Sequence, residues 1–330
     1  MEMFHSSCLT IVMYHYVRPL VESDFPRLKA LELVDFLAQL DYLSTAYNII
    51  SPALLRDSLN EGARLPKRAC LLTFDDGYRD HYENVYPALL KRGLAGLFFP
   101  PYSSLIERNL LEVNKVQFIL ASTDRPEALA VELDDFLNHT GAGNVQELRS
   151  KSMIPNRYDS HEVAYFKILL QHALPVDVRS AAIDQLFERH VTTDVLDFAS
   201  MLYLSVSEAQ EMRKAGNEFG GHGWDHLWHA KASTEELDRE IRGSIQVLDA
   251  IGAPVSGGYY CYPFGSHHER VCAAVAKVGF SVGFTVEPKL FEFDNGDKLR
   301  ASRLDTNDLP KSPPLGIDQW LLTAENCEKN

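Results

Sequence analysis

The sequence predicts an α/β protein: a distorted (β/α)7-8 barrel, built from seven or eight strand–helix units, with a helical insertion. Three observations predict it. Short apolar stretches alternate with helical patterns, several of these stretches are apolar on both faces, and one long central region is helical throughout. Strands buried on both faces are typical of parallel sheets, which need helical crossovers. Seven or eight such units favour a closed barrel over an open sheet.

Eight stretches have the composition of short strands and are separated by turn signals or helical patterns. They are residues 9–14, 47–50, 69–74, 95–99, 217–221, 258–262, 280–286 and, more weakly, 299–304. The first one, LTIVMY, is apolar almost without interruption, as expected of a strand that is covered on both faces.

The helices between these strands have clear start and stop signals. Ser205-x-x-Glu208 and Ser233-x-x-Glu236 are capping boxes, each of which predicts the first turn of a helix. Glycine follows three of the helical patterns and is the usual residue just past a helix end. These glycines are Gly216, Gly252 and Gly279.

The stretch from 103 to 204 interrupts the alternation. It is helical, rather acidic and without clear strands. We therefore expect one barrel domain over residues 1–330, with 103–204 as a helical insertion within it. This insertion is a candidate lid or dimer surface, so a homo-oligomer is one expected state of the chain.

Composition restricts the function and the location. The formal net charge of −14 argues against a nucleic-acid-binding surface, which needs a basic stripe. No stretch approaches the roughly 20 apolar residues of a membrane span, and the N-terminus has no signal-peptide pattern. We therefore expect a cytoplasmic protein. Five cysteines without a Cys-x-x-Cys pair predict reduced and mostly buried thiols.

The strongest chemical signal is TFDDG, in which a buried strand runs directly into Asp75, Asp76 and Gly77. An Asp-Gly pair is also an ordinary turn signal. Successive residues on an extended backbone point apart, however, so two aspartates at a strand end can have different roles. One can bind a metal ion while the other remains free to act as a base.

The second signal is GGHGWDH, which places His222 and His226 four residues apart after a short strand. Histidines one helical turn apart can hold one metal ion. In a chain with twelve histidines, such a pair also arises by chance. Its position on a strand–helix loop predicts the same barrel rim as Asp75 and Asp76, and this is the rim on which such barrels carry catalytic groups.

The third signal is YCYPFG, from Tyr260 to Gly265, which also ends a strand and precedes a helix. A Pro-aromatic-Gly turn can present backbone N–H groups outward, as an oxyanion site requires. Without the other two signals, a purely structural turn is the simpler interpretation.

Taken together and in this order, TFDDG, HGWDH and YPFG resemble the first three motifs of the polysaccharide deacetylases, the family 4 carbohydrate esterases with a NodB-homology domain. The resemblance covers roughly residues 69–102 and 204–305. It implies a distorted barrel, a divalent metal and amide hydrolysis on an N-acylated amino sugar. It also implies that Asp75 is the base and that Asp76, His222 and His226 are the metal ligands.

The chain departs from the family pattern in two places. Tyr260 and Cys261 stand where the third motif usually has an arginine, and no histidine follows His268 to supply the usual late general acid. The segment MYHYV is similar to the N-terminal motif of a permuted branch, the poly-N-acetylglucosamine deacetylases. That resemblance implies that His15 is the proton donor, whereas a packed core histidine is the structural alternative.

Other residues have less specific expectations. Arg303 or Asp305, in RLDTND, is a candidate to replace the missing orienting arginine, although a solvated charge cluster is the ordinary explanation. Phe264 offers its backbone N–H to an oxyanion. Tyr262, Pro263 and Trp224 are expected to bind the sugar or to support residues that do, or, for Trp224, only to pack the loop.

The sequence thus predicts a metal-dependent hydrolase that removes an acetyl or formyl group from an amino sugar. Three N/O ligands with open positions are typical of catalytic zinc, although other divalent ions suit such sites. The expected cytoplasmic location favours a nucleotide- or lipid-linked precursor of surface polysaccharide or lipopolysaccharide. Two alternatives remain open: an amidase acting on a non-sugar amide or cyclic imide, and a catalytically silent glycan-binding or scaffold protein.

Overall fold

The computed structural model describes residues 7–152, 159–311 and 318–327. The chain forms two compact units. The first contains the described residues of 1–19, 30–109 and 199–330, and it carries the sheet. The second contains 20–29 and the described residues of 110–198, and it is helical. The expectation of one domain with an insertion over 103–204 stays a prediction.

The strands are short, as expected of a barrel whose rim carries long loops. In chain order they are β1 (Cys8–Tyr14), β2 (Val17–Arg18), β3 (Leu31–Glu32), β4 (Asn48–Ile49), β5 (Ala69–Asp75), β6 (Leu97–Phe99), β7 (Glu218–Phe219), β8 (Gly258–Cys261), β9 (Phe280–Phe284), β10 (Phe291–Glu292) and β11 (Leu304–Asp305).

The helices of the first unit alternate with these strands. They are α1 (Leu33–Ala46), α2 (Pro52–Glu61), α3 (Tyr86–Lys91), α10 (Val206–Lys214), α11 (Thr234–Ile251), α12 (Glu269–Lys277) and α13 (Gln319–Cys327). The second unit contains α4 (Glu112–Ala121), α5 (Pro126–Thr140), α6 (Val145–Ser152), α7 (His161–Ile168) and α8 (Val176–His190), and the boundary between the units falls within α9 (Val195–Leu202).

Parallel pairing closes the first unit into a barrel. Strand β1 pairs with β5, β5 with β6, and β6 with β7. Just after β7, Gly221 bridges to Tyr260 of β8, which pairs with β9. Phe284 at the end of β9 bridges to Ala301, and β11, which follows, pairs with β1. Among the described residues, seven parallel strands therefore complete the ring, which confirms the predicted fold class.

The alternation of side chains along the strands explains why these strands are apolar on both faces. Leu9, Ile11, Leu71, Phe99 and Phe284 belong to one buried cluster. Residues at the alternate positions of these strands, among them Val12, Leu72, Phe74 and Phe98, belong to a second cluster. That cluster also includes apolar side chains of α1, α3, α10, α11 and α12. The first cluster fills the barrel and the second seals the barrel against its helices.

The predicted helix signals correspond to the observed caps. Both capping boxes form, at Ser205 with Glu208 before α10 and at Ser233 with Glu236 before α11. Gly252 adopts a left-handed conformation after α11. The expected strands 47–50 and 217–221 are shorter than predicted, with two residues each, and the weak strand near 299–304 pairs at Ala301 and over Leu304–Asp305.

The expectation that all thiols are reduced is wrong for one pair. Cys8 at the start of β1 and Cys327 at the end of α13 form a disulfide, with their Cα atoms 5.9 Å apart. Cys70, Cys261 and Cys272 are free and buried. The bonded pair is separated by 319 residues, so no local cysteine spacing could have indicated it. None of the helices in the described part of the chain is long and apolar enough to cross a membrane.

Replacing both bonded cysteines by serine (C8S/C327S) is expected to lower the free energy of unfolding by roughly 2–4 kcal/mol, because the cross-link restricts the unfolded chain. Urea denaturation with and without dithiothreitol measures the effect. Dithiothreitol should destabilise the wild type and leave the variant unchanged. Equal sensitivity of the two proteins to dithiothreitol would contradict the assignment of this disulfide.

Candidate functional site

The chemistry-bearing residues gather at the carboxyl ends of the barrel strands. His15 follows β1, Asp75 ends β5 and Asp76 follows it, His222 lies three residues after β7, and Phe264 follows β8. Parallel strands of a closed barrel end at one rim, so residues far apart in sequence are brought together there. The site lies entirely within the first unit.

Three of these side chains converge on one point. The Oδ1 atom of Asp76 lies 3.2 Å from Nε2 of His222 and 3.3 Å from Nε2 of His226. All three residues are buried. One ligand atom from each lies within 4.8 Å of the other two, which is a spacing that a single metal ion can fill. A carboxylate and two imidazoles form the mixed O/N set of a catalytic zinc site, so the residues present fit the expected ion.

Neighbouring groups orient these ligands. Tyr78 donates its hydroxyl proton to Oδ2 of Asp76 at 2.6 Å, which leaves Oδ1 facing the histidines. The ring of His222 donates from Nδ1 to the carbonyl of Cys261 at 2.8 Å, which directs its Nε2 towards Asp76. Although burial disfavours its charge, the adjacent His226 and His222 hold the pKa of Asp76 well below the ordinary value.

The other aspartate is held by an arginine instead. Nη1 of Arg303 donates to Oδ1 of Asp75 at 2.8 Å, and Nη2 donates to Oδ2 at 2.7 Å. Burial raises the pKa of Asp75, but the Arg303 guanidinium outweighs it and lowers that pKa to about 2. Asp75 is therefore a carboxylate at neutral pH.

Arg303 itself is fixed on several sides. Its Nε donates to the carbonyl of Thr285 at 2.9 Å, and its Nη1 donates to Oγ1 of Thr73 at 3.1 Å. Its Nη2 lies 3.1 Å from the sulfur of Cys261. Of the two candidates in RLDTND, Arg303 is thus the one placed on Asp75. Asp305 instead accepts from the backbone of Asn307 and caps the short turn Thr306–Asp308.

A second group of donor atoms, from Asp75, His222 and Cys261, also has metal-like spacing. The guanidinium of Arg303 already contacts both Asp75 and Cys261. A cation placed among these three residues would stand directly against that positive charge. The geometry therefore favours the set built on Asp76.

His15 lies beside Asp75 and reaches solvent. Its Nε2 is 3.8 Å from Oδ2 of Asp75, and its side chain is 39% exposed. Two neighbouring residues, Asp80 and His81, form hydrogen bonds with the backbone at His15 and at Val17. His81 donates from Nε2 to the His15 carbonyl at 2.9 Å, and Asp80 accepts from the Val17 N–H at 3.1 Å. Burial lowers the pKa of His81 to about 4, so its ring is neutral and keeps this donor role.

The turn after β8 places an aromatic ring against the ligands. Phe264 has a left-handed backbone (φ 57°), and its ring packs edge-on against His226 with centroids 4.5 Å apart. Trp228 stacks on the other side of Phe264 at 4.7 Å. Both residues are partly exposed, so they form an apolar wall at the rim of the site.

Three predicted substrate-binding or supporting residues have structural surroundings. Tyr262 is buried and donates its hydroxyl proton to the Leu299 carbonyl at 3.0 Å, and Pro263 is buried at the start of the Pro263–Gly265 turn. Trp224 packs against Tyr102, with ring centroids 3.9 Å apart. The structure gives these three residues supporting contacts around the rim, and their contact with a sugar stays a prediction.

Sequence reasoning missed several residues that shape the site. Tyr78 follows the Asp-Asp-Gly signal by one residue, so its proximity to Asp76 was accessible from the motif itself. Asp80, His81 and Trp228 also lie within a few residues of the two motifs, but nothing in the local pattern indicates what they contact. Cys261 was noted only as a replacement, and its contact with Arg303 depends on the fold.

Comparisons with known proteins support the resemblance that the motifs predicted. A family model described as "Polysaccharide deacetylase" matches residues 179–283. YxkH of Bacillus subtilis (strain 168), whose name describes it as a polysaccharide deacetylase, is 29% identical over 92 residues. That alignment covers 28% of this chain and 31% of YxkH, so the match spans under a third of the relative.

Solved structures share the fold. The Streptococcus pyogenes deacetylase PplD, in complex with acetate, has a TM-score of 0.58 at 16% identity and covers 97% of this chain and 98% of its own. IcaB from Ammonifex degensii scores 0.52 at 18% identity, with 97% of each chain covered. A de-N-acetylase from Aggregatibacter actinomycetemcomitans scores 0.54 at 15% identity, covering 97% and 99%. The resemblance to the polysaccharide deacetylases is confirmed. At these low identities, the TM-scores show that the fold is shared.

Replacing Arg303 by methionine (R303M) is expected to lower the free energy of unfolding at pH 7 by roughly 3–5 kcal/mol, because it leaves a buried carboxylate unpaired. Without the guanidinium, burial raises the pKa of Asp75 above its unfolded value. The wild-type pKa is instead depressed, so the Asp75 contribution in the wild type is lost as pH falls from about 4 towards 2. The difference in the free energy of unfolding between wild type and R303M should therefore become smaller as pH falls from 7 to 4.

Urea denaturation at pH 7 and pH 4 measures this difference in the free energy of unfolding. R300M, which alters an arginine with a half-exposed side chain in the same segment, is the control and should change stability little at either pH. The double variant D75N/R303M should recover part of the loss, because the remaining buried group is neutral. A stability equal to wild type for R303M at both pH values would contradict the buried ion pair.

Proposed function

We propose that this chain, which resembles the polysaccharide deacetylases in its motifs and its fold, is a metal-dependent carbohydrate N-deacetylase. It hydrolyses the amide of an N-acylated amino sugar and releases a small carboxylic acid and a free amine. One arrangement carries the proposal: a buried set of three ligand residues lies beside a second, arginine-paired carboxylate and a half-exposed histidine.

Asp76, His222 and His226 would hold the ion, and their two nitrogens and one oxygen match the ligands of catalytic zinc. When bound, a divalent ion polarises the acyl carbonyl and lowers the pKa of water towards neutrality. Burial lowers the pKa of His226, which favours the neutral ring that a metal ligand needs. The hydrogen bond to the Cys261 carbonyl selects the Nε2 lone pair of His222 for the same purpose.

Asp75 is the general base in this proposal. It is ionised, and the bidentate contact with Arg303 holds its carboxylate in one orientation towards the ligand set. The attacking water gives its proton to Asp75 as the new C–O bond forms. Because Arg303 keeps the pKa of Asp75 near 2, the base is weak but is never lost to protonation at neutral pH.

His15 is the proposed general acid. A leaving amine needs a proton as the C–N bond breaks, and imidazolium is the side chain best suited to supply it near neutral pH. The His15 ring lies 3.8 Å from Asp75, on the same rim, and is partly exposed, as a group that meets a substrate must be. The proposed oxyanion donor is the backbone N–H of Phe264, in the left-handed turn against His226.

The proposed substrate is an amino sugar in a nucleotide- or lipid-linked precursor of surface polysaccharide or lipopolysaccharide, processed in the cytoplasm. The acyl group that is removed is acetyl or formyl, and the acetate bound to PplD, which shares the fold, supports acetyl. The Cys8–Cys327 disulfide weighs against a cytoplasmic site, because disulfides persist mainly in oxidising compartments. An exported sugar polymer is therefore a necessary member of any substrate panel.

Mass spectrometry of zinc-loaded protein with such a panel tests the function. The panel contains N-acetylglucosamine oligomers, N-acetylated and N-formylated nucleotide sugars, and simple N-acetyl amines. Loss of an acyl group from a sugar supports the proposal and identifies its class. Turnover of the simple amides alone would instead indicate a general amidase, and binding of sugars without turnover would indicate a glycan-binding protein.

Asp75→Asn is expected to retain zinc and lose turnover, because Asp75 is not a ligand but takes the proton of water. Metal content by mass spectrometry and the rate on the best sugar of the panel are the two measurements. Asp76→Asn is the matched comparison and should lose zinc affinity as well as turnover. Full activity of the Asp75 variant would refute its role as base.

His15→Ala is expected to keep its zinc and to lower kcat by about 10²–10⁴-fold, the usual contribution of a general acid. The loss should be smaller for substrates with a better leaving group, since these need less protonation. His139→Ala, at an exposed histidine of α5, serves as the control and should leave kcat unchanged. An unaltered rate in the His15 variant would remove the donor assignment.

A further inference from the structure

The loop that carries both proposed histidine ligands contains two residues with left-handed backbones, and only one of them is a glycine. His226 has a φ of 59° and Gly223 a φ of 82°. Only glycine adopts the left-handed region readily, and other residues stay there only when their surroundings impose it. The residues from His222 to Leu227, here called the histidine loop, must therefore be held by groups outside the loop.

A single carboxyl group accepts hydrogen bonds from several backbone N–H groups of this loop. Glu240 of α11 is completely buried, and its oxygens accept three hydrogen bonds. The donors are the N–H groups of Trp224 at 3.0 Å, of Asp225 at 3.0 Å and of Leu227 at 3.4 Å. N–H groups of a loop that converge in this way form a natural anion site, and here a side chain of the protein occupies it.

The neighbouring residues of α11 complete the support. One turn after Glu240, Ser244 accepts the N–H of Gly223 at 2.8 Å. A Cβ atom at Gly243 would lie 2.9 Å from the Cβ of Trp224, so only glycine lets the helix approach the loop this closely. A Cβ atom at Gly223 would collide with Oε2 of Glu240. The histidine loop and α11 are thus fitted to each other at several points.

Glu240 is separate from the proposed ligands. The two groups of donor atoms with metal-like spacing in the described parts of the chain are Asp76 with His222 and His226, and Asp75 with His222 and Cys261. Glu240 is in neither group, and its contacts with the loop are to backbone N–H groups, not to the imidazole rings. The contacts of Glu240 therefore link it to an ion through the position of the loop backbone and not as a ligand.

We propose that Glu240 is a positioning residue that holds the histidine loop in its ligand-presenting conformation and thereby sets the metal affinity of the site. This inference rests on the proposed function in one respect, namely that His222 and His226 bind a metal. The two carboxyl oxygens of Glu240, both carried by one side chain of α11, match three N–H groups of the loop. An amide in their place would turn an NH2 group towards at least one of those donors.

The test is a comparison of E240Q with wild type in zinc titrations of the metal-free protein against a chromophoric chelator. The Kd of E240Q is expected to rise by roughly 10–100-fold, the usual effect of removing a group that orients metal ligands. The visible spectrum of the Co²⁺-loaded variant should change as well, because His226 is released from its position. E235Q, at an exposed glutamate in the first turn of α11, should match wild type within about twofold.

Circular dichroism establishes that each variant is folded. If E240Q does not fold, E240D decides: it keeps the carboxyl group but withdraws the oxygens by one methylene, and it is expected to weaken zinc binding too. Folded E240Q or E240D with wild-type Kd and an unaltered Co²⁺ spectrum would overturn the inference alone. A wild-type protein that binds neither zinc nor Co²⁺ would overturn the proposed metal site itself, so the two failures are distinguishable.

Discussion

The meeting of Asp76 with His222 and His226 is the constraint on which the rest of the site depends. The two partners of the His222–Asp76 contact are 146 residues apart, and the barrel brings them to 3.2 Å because β5 and β7 end at the same rim. Three donor groups buried together are costly without a shared cation or proton. The fold nevertheless buries these three groups together, and such concentrations of buried ligand atoms are typical of sites that bind metal ions.

Two adjacent aspartates acquire different chemistry because their surroundings differ. Asp76 faces two imidazoles and a tyrosine hydroxyl, whereas Asp75 faces the guanidinium of Arg303, which comes from 228 residues further along the chain. A buried carboxylate needs a compensating charge, and each aspartate finds its own. This division leaves one carboxylate to the ligand set and keeps the other ionised and free of it.

Helical side chains hold the loops of the candidate site by their backbones. Glu240 and Ser244 of α11 capture the histidine loop, and Asp80 and His81 hold the segment that carries His15. In both places a buried polar group receives or supplies hydrogen bonds that the irregular backbone cannot satisfy by itself. The side chains of the candidate site are thereby carried on loops that hydrogen bonds fix to helical elements.

The sequence by itself determined the alternation of strands and helices, the capping boxes and the location of three motifs at strand ends, because these features depend on residues within a few positions of each other. Only the tertiary structure decided that Arg303 rather than Asp305 pairs with Asp75, that Cys8 bonds Cys327, and that Glu240 supports the histidine loop. These contacts join elements that are distant in the chain or lie on different faces of one segment. Their formation depends on how strands register around the barrel and how helices pack on it, and local periodicity carries no information about either.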